Sequence, residues 1–321
     1  MAVPTAGMNA APVQRGVALI TALLVVALAT VAAVAMASRQ QLDVRRTANL
    51  LQGDQAYVYA QAVEDWARVV LKRDENKQVD SLDEDWAQQL SPIAVPGGQV
   101  NGFILDLQGR FNLNNLLNSD GQLSEPDLNY FRTLLRNLEL NDQLTAAVLD
   151  WIDVDTQTRY EDYGDGAEDD FYLSTDVPYR AANREFQSIS ELRLVRGFDA
   201  EVWNKLAPYV CALQGRVALN VNTAAAPLLQ ALSEDLTQRD AEQLVEERGE
   251  TGFERLDAFA NSPVFASRPL SQAQQGNLAI NSSYFLVRSE IGVGSARARV
   301  FSVLQRASNG ATTLTRTQGT W

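Results

Sequence analysis

The 321-residue chain contains no histidine and a single cysteine, Cys211. These two shortages remove whole classes of chemistry, because Cys/His zinc sites, Ser-His-Asp triads, Cys-His dyads and the facial triad of non-haem iron each lack a required residue. A disulfide framework is excluded as well. Stability therefore rests on buried cores, for which the length suffices with one membrane or targeting segment and about two compact units. Basic residues are also scarce, 27 against 40 acidic, which leaves a formal charge of −13 and a pI near 4.6. No stretch concentrates enough positive charge to attract nucleic-acid phosphates. Any metal would take oxygen ligands, and the function classes that remain are binding, assembly and carboxylate chemistry.

What the chain does have is a charge-free run of 21 residues from Val17 to Ala37, VALITALLVVALATVAAVAMA. As a helix it reaches roughly 31 Å, the thickness of a bilayer's hydrocarbon core. A signal anchor is one reading of it. Another is a secretory signal cut after Ala37, since Ala35-Met36-Ala37 has the small-x-small form. The run is longer than the apolar region of about 7–15 residues such signals carry, and it continues into a polar helical pattern. The third reading starts at Arg15-Gly16, which follows a leader without an acidic residue. This junction resembles that of a type IV prepilin, which implies cleavage after Gly16 and N-methylation of Val17. Most members of that family place glutamate at mature position five, where Thr21 stands here. A carboxylate in lipid is costly unless paired, so its absence suits a subunit with no neighbour above it, at the tip of an assembly. Arg39, Arg45 and Arg46 against Asp43 follow the run, and the positive-inside rule alone would place the N-terminus outside. The prepilin resemblance implies the opposite orientation, which we adopt.

From Ser38 to about Arg73 apolar residues keep helical spacing, with Gly53 as a weak point. The Pro/Gly cluster between Pro92 and Gly98 ends this region. Strands are expected at Gln99–Leu107, Tyr284–Val293 and Arg297–Leu304, the last two forming a hairpin through Gly294-Ser295 with one solvated face. Helices are expected between them, at Glu125–Leu138, Gln143–Ile152, Ser190–Val195, Ala200–Tyr209, Ala226–Leu232, Arg239–Arg248 and Leu256–Phe259. The class is α+β. A weak repeat relates GRFNLNN (109–115) to GRVALNVNT (215–223): in each, alternating apolar residues would close a strand while the asparagine, or Thr223, caps the next helix. The segments 188–210 and 239–259 resemble SAM-like, helix-hairpin-helix pairs. In nucleic-acid-binding forms a Gly-x-Gly hairpin offers backbone N–H groups to phosphate, but here Asp199 replaces the second glycine. Protein packing is the expected role.

The densest chemical signal is Asp150 to Asp176, where ten acidic residues face only Arg159. A solvated acidic loop is the usual explanation of such a run. Trp151, Tyr160, Tyr163, Phe171 and Tyr172 are interleaved, however, and favour an ordered fold. Ordering so many carboxylates requires compensation, and calcium, which accepts 6–8 oxygen ligands in flexible geometry, would supply it. An EF-hand does not fit, because Thr158 stands where the loop requires glycine and Gly164 at the twelfth position. The expected ligands are Asp153 and Asp155 from the helix end and Glu168, Asp169 and Asp170 from the returning loop, followed by Glu161 and Asp165. Two facing carboxylates also make a glycosidase-like reading available. Crowding argues against it, since no single acid is set apart from the others. Arg180 and Arg184 are expected to pair with the loop, and Cys211 to be buried.

Several segments stand in the order found in one family: RGVALITALLVV, FNLNNL, LDWIDVD followed by GAEDDFY, PYRAANREFQSISELRLVRG, APYVCAL and LNVNTA. From about Gln14 to Arg306 the chain resembles the type II secretion minor pseudopilin K family (general secretion pathway protein K). The resemblance implies a prepilin leader at 1–16, a transmembrane part of the N-terminal helix at 17–37 and a periplasmic helical region at 38–91. It further implies a pilin-like α/β domain from 92–111 and 213–321 with an antiparallel sheet and a second helical segment, and an inserted helical domain at 112–212 with the calcium loop. By matching motif the calcium candidates are again Asp153, Asp155, Glu168, Asp169 and Asp170. The implied function is non-enzymatic: assembly with minor pseudopilins I and J at the tip of the periplasmic pseudopilus, capping or initiating it. The implied partners also include the major pseudopilin, the prepilin peptidase and the inner-membrane secretion platform, with no nucleic acid. The implied location is the bacterial inner membrane, single-pass, with the C-terminal domain periplasmic. A membrane-anchored periplasmic enzyme using the acidic loop and a competence-type DNA-binding protein are the alternatives.

Overall fold

The computed structural model describes residues 15–74, 76–88, 91–160 and 164–319. In chain order the elements are α1 (Arg15–Arg73), β1 (Ile93–Val95), β2 (Gly98–Asp106), β3 (Phe111–Asn112), α2 (Glu125–Asn137), α3 (Leu144–Ile152), α4 (Asp169–Tyr172), α5 (Ala200–Leu206), β4 (Val210–Cys211), β5 (Leu219–Asn220), α6 (Ala226–Gln230), α7 (Gln238–Arg248), α8 (Leu256–Ala260), α9 (Gln272–Gly276), β6 (Leu278–Ala279), β7 (Tyr284–Val293), β8 (Ala296–Ala307) and β9 (Gly310–Gln318). Short 3₁₀ turns follow β3 and precede α5. The chain forms two units, 1–54 and 55–321.

In the first unit, the described residues are helical, and the large apolar side chains from Val17 to Met36 are exposed. This helix is long and apolar enough to cross a membrane. Gly53 does not interrupt α1.

In the second unit, α1 from residue 55 onward presents Ala56, Ala60, Val63, Ala67 and Leu71, a stripe at helical spacing, to the sheet residues Val100, Ile104, Phe285, Val287, Ile291, Val300 and Leu304. Gly102 permits this approach, because a Cβ there would stand 2.6 Å from Val63 Cγ1. The sheet runs β1-β2-β7-β8-β9, antiparallel throughout, with Val293 opposite Ala296 at the hairpin turn and a bulge at Val303/Leu304. The hairpin and β2 fall where the alternation placed them. Strand β9 was not legible, because its GATTLTRTQ is mostly exposed edge and carries no apolar face.

The helices form a second core around Phe131, Leu134, Leu149, Tyr172, Phe186 and Leu206. This core continues past residue 212 and takes in Leu228, Leu244 and Phe259 from α6, α7 and α8. The helices expected to lie with the sheet domain thus share the core of the inserted helices, since their apolar faces are complementary to those faces and not to the sheet.

The repeat has a structural counterpart in two short parallel ladders, β3 with β4 and β5 with β6. Asn112 caps the 3₁₀ turn that follows β3, as expected, its side chain accepting from the Asn114 N–H. Thr223 does not cap: α6 starts after Ala225 without a side-chain cap, and the Thr223 hydroxyl donates instead to Asp106 Oδ2.

Candidate metal centre

Helix α3 carries Asp150 and Asp153 one turn apart at its C-terminal end, and the chain then passes through Asp155 and returns to Glu168, which stands just before α4. One carboxylate oxygen from each of Asp153, Asp155 and Glu168 lies within 4.8 Å of the others. Glu168 is 3% exposed, and neither of its oxygens has a hydrogen-bond partner. Asp153 Oδ1 and Asp150 Oδ1 are likewise without one. Arg159 Nη2 donates to Asp153 Oδ2 at 2.6 Å, and Arg159 Nε stands 3.4 Å from Asp150 Oδ1 without hydrogen-bond geometry. Of the four carboxylates, the Arg159 guanidinium thus reaches only Asp150 and Asp153.

The electrostatics follow from that imbalance. Burial, followed by the charges of Asp150, Asp153, Asp155 and Asp169, pushes Glu168 up to about 7. Burial likewise raises Asp150 to about 6 and raises Asp153, against the opposing hydrogen bonds from Arg159. Calcium is coordinated by oxygens at about 2.3–2.6 Å, so oxygens up to about 5 Å apart can share one ion. The separations within the cluster meet that condition. The unpartnered buried oxygens of Glu168 and Asp153 are the lone pairs such an ion takes up, so the residues present fit the metal.

Of the expected ligands, the fold brings Asp153, Asp155 and Glu168 together. Asp169 is engaged elsewhere, accepting from the Ala181 N–H at 3.0 Å and pairing with Arg180 at 3.2 Å. Asp170 is exposed and outside the cluster, because the first turn of α4 rotates it away. Asp165 is exposed, 3.9 Å from Arg196, and Glu161 lies outside the described residues. Arg180 pairs with the loop as expected, whereas Arg184 pairs with Glu191 at 3.5 Å. Trp151, Tyr172 and Tyr179 pack ring against ring at 5.2–6.3 Å and order the segment.

Asp150 is the member that the sequence reading did not single out. Its spacing of three from Asp153 on a helix was the available signal. The return segment reaches it only because residue 166 is glycine, where a Cβ would stand 2.0 Å from Asp150 Oδ2 and 2.8 Å from the Arg159 carbonyl oxygen.

The remaining candidates are placed as follows. Gly16 and Val17 lie in the first turn of α1, and residues 1–14 of the expected leader are outside the described residues. The Thr21 hydroxyl donates to the carbonyls of Val17 and Ala18 at 3.1 and 3.0 Å, so its polar group is satisfied within its own helix. Cys211 is fully buried, and burial pushes its thiol up to about 12. Asp199, at the departure from the Gly-x-Gly hairpin, caps α5 by accepting from the N–H groups of Glu201 and Val202. The hairpin's place for a phosphate is thereby filled by the protein's own carboxylate.

A membrane-length apolar helix at the N-terminus, a helix packed on an antiparallel sheet and a helical core bearing an acidic centre define an α+β protein with a candidate membrane helix. Comparison with known proteins narrows the class. Models of the family described as Type II secretion system (T2SS), protein K match residues 109–215 and 219–281. The type II secretion system protein K of Pseudomonas aeruginosa is 39% identical over 314 residues, covering 92% of this chain and 90% of the relative. That of Aeromonas hydrophila is 37% identical over 317 residues, covering 92% and 94%. The structure described as the GspK-GspI-GspJ complex from the enterotoxigenic Escherichia coli type 2 secretion system superposes with a TM-score of 0.74 at 28% identity, covering 86% of this chain and 100% of that one. The chain belongs to the type II secretion system protein K family and is a minor pseudopilin of that system.

Proposed function

We propose that this chain joins minor pseudopilins I and J at the tip of the pseudopilus and acts there as a structural, non-catalytic subunit. The observation that carries the reading is the likeness to the K subunit of a solved complex with I and J, which extends over 86% of this chain. Cleavage after Gly16 and N-methylation of Val17 release the mature helix, which stays in the inner membrane with the C-terminal region in the periplasm. The apolar run beginning at Val17 supports this topology. Thr21, satisfied by its own helix, removes the need for a charge partner above it in lipid, in keeping with a terminal position.

Asp153, Asp155 and Glu168, with Asp150 beside them, would hold calcium; when bound, the ion neutralises the carboxylates that tie the end of α3 to the start of α4. Arg159 holds Asp153 and orders the connecting loop through its backbone, its N–H donating to Asp150 Oδ2 at 3.1 Å.

The test is the intact mass and N-terminal peptide of the chain from membranes of cells with and without the prepilin peptidase, combined with co-purification of I and J. A methylated Val17 that depends on the peptidase, with I and J retained, is the expected result. An N-terminus at Ser38 overturns the membrane anchorage, and an uncut leader in both strains overturns the prepilin processing; processed chain that recovers neither partner overturns the tip assignment.

A further inference from the structure

A second group of carboxylates lies far in sequence from the acidic loop. Asp74 follows the end of α1, Asp80 and Glu84 follow in the connection to β1, and one oxygen from each lies within 4.8 Å of the others. Asp80 is 0% exposed. Its Oδ2 accepts from the Ser282 N–H at 2.7 Å and from Arg306 Nη2, while its Oδ1 has no partner. An oxygen of that kind, in a fully buried carboxylate, is costly unless something unseen binds it. Asp74 Oδ2 accepts from Arg306 Nη1, and Glu84 accepts from Trp86 Nε1 at 2.6 Å and from the Ser81 N–H at 3.3 Å. Three carboxylates are thus set against the one guanidinium of Arg306. The excess of two negative charges is what one divalent ion would neutralise, and the spacing suits oxygen ligands about 2.4 Å from such an ion.

We propose that Asp74, Asp80 and Glu84 form a second site for a hard divalent cation of the calcium type, independent of the Asp153–Glu168 centre. Its place in the fold gives it a task. Asp80 is hydrogen-bonded through its backbone to the Ile280 carbonyl and through its side chain to Ser282, ahead of β7, and Arg306 lies near the end of β8. An ion here staples the connection that leaves α1 to one end of the sheet. The raised values of Asp80, about 6, and Glu84, about 7, agree with this: burial comes first in both, then for Glu84 the charges of Asp80 and Asp74, while Arg306 opposes the rise at Asp80 and Asp106 adds to it. Without an ion, a proton shared between Asp80 and Glu84 is the competing way to relieve the same repulsion.

The experiment counts ions on the full chain in detergent, by equilibrium dialysis against calcium followed by elemental analysis. Glu84→Gln and Glu168→Gln each lose one bound ion, and the double variant loses both. Glu84→Gln is the informative substitution because it leaves the Arg306 pairs intact, whereas Asp80→Asn removes a partner of Arg306 and risks the fold. Terbium in place of calcium supplies a second readout: in the Glu168→Gln background, where the loop centre beside Trp151 is emptied, emission sensitised by Trp86, which touches Glu84, persists and is then lost on adding Trp86→Phe or Glu84→Gln. A loss in Glu168→Gln alone would support the loop centre and overturn this one. An ion count unchanged by Glu84→Gln, with a wild-type melting temperature that rises as pH falls from about 8 to about 6, would assign the cluster to a shared proton and overturn the proposal.

Discussion

Glu64, on the part of α1 that packs against the sheet, is 1% exposed and accepts more hydrogen bonds than any other carboxylate among the described residues of the second unit. It accepts from Ser302 of β8 at 2.7 Å, from Thr313 at 2.6 Å and Arg316 at 2.8 Å of β9, and from Arg68 of its own helix. Burial by itself would raise its pKa, but the hydrogen bonds from Arg316, Thr313 and Ser302 together with the Arg316 charge outweigh it and hold the group at about 2. The ordinary value is 4.5, and at about 1.36 kcal/mol per pH unit the gap is worth about 3.4 kcal/mol. Arg316 and Arg68 are 32% and 34% exposed, so solvent screens part of this and about 2–3 kcal/mol is the working figure. Because the folded value is depressed, the contribution is complete above about pH 4.5 and is lost as pH falls from about 4.5 to about 2. Glu64→Gln keeps the size and removes the charge. Urea unfolding of wild type and variant, followed by tryptophan fluorescence across this range, should show a difference of about 2–3 kcal/mol at neutral pH that closes toward pH 2. A difference that stays constant with pH, or one below about 0.5 kcal/mol at neutrality, would refute the assignment of Glu64 as the charged anchor of β9.

Chelation should lower the melting temperature of the wild-type chain by roughly 5–10 °C if calcium had been present at about one hundred times its dissociation constant, and by less in Glu168→Gln; calorimetry with and without chelator decides this. Gly166→Ala forces a methyl group against Asp150 Oδ2 and the Arg159 backbone, and should cost about 2 kcal/mol or more and weaken calcium binding, both read from denaturation and ion titration. Phe131→Ala, at a fully buried position stacked on Phe111 at 5.6 Å, should cost about 3–5 kcal/mol in the same denaturation assay without changing the bound-ion count. Asn114→Ala removes a buried amide that both donates to the Phe186 carbonyl and accepts from the Phe186 N–H, and should cost about 2–3 kcal/mol by urea unfolding.

Local periodicity and composition determined much of this protein. The charge-free run, the β7–β8 hairpin, α2, α3 and α7 are each specified by neighbours a few residues apart, where spacing of 3.6 or 2 carries the information. The acidic loop was legible for the same reason, since ten carboxylates within 27 residues require compensation wherever they fold. Which of them meet was a matter for the tertiary structure. Asp169 and Asp170 are adjacent to Glu168 in sequence, yet the turn of α4 sends one to Arg180 and the other to solvent, while Asp150 and Gly166 enter the centre through packing that no motif records. Glu64 is the clearest case. Its partners Ser302 and Arg316 stand 238 and 252 positions away, and a lone glutamate in a helix gives no sign of them. Side-chain periodicity reports which face is buried, and only the folded chain settles what that face is buried against. The edge strand β9 escaped the sequence because it carries no apolar face, and Asp74, Asp80 and Glu84, though within eleven residues of one another, gave no sign of a site because the burial of Asp80 against Ser282 and Arg306 comes from the folded sheet.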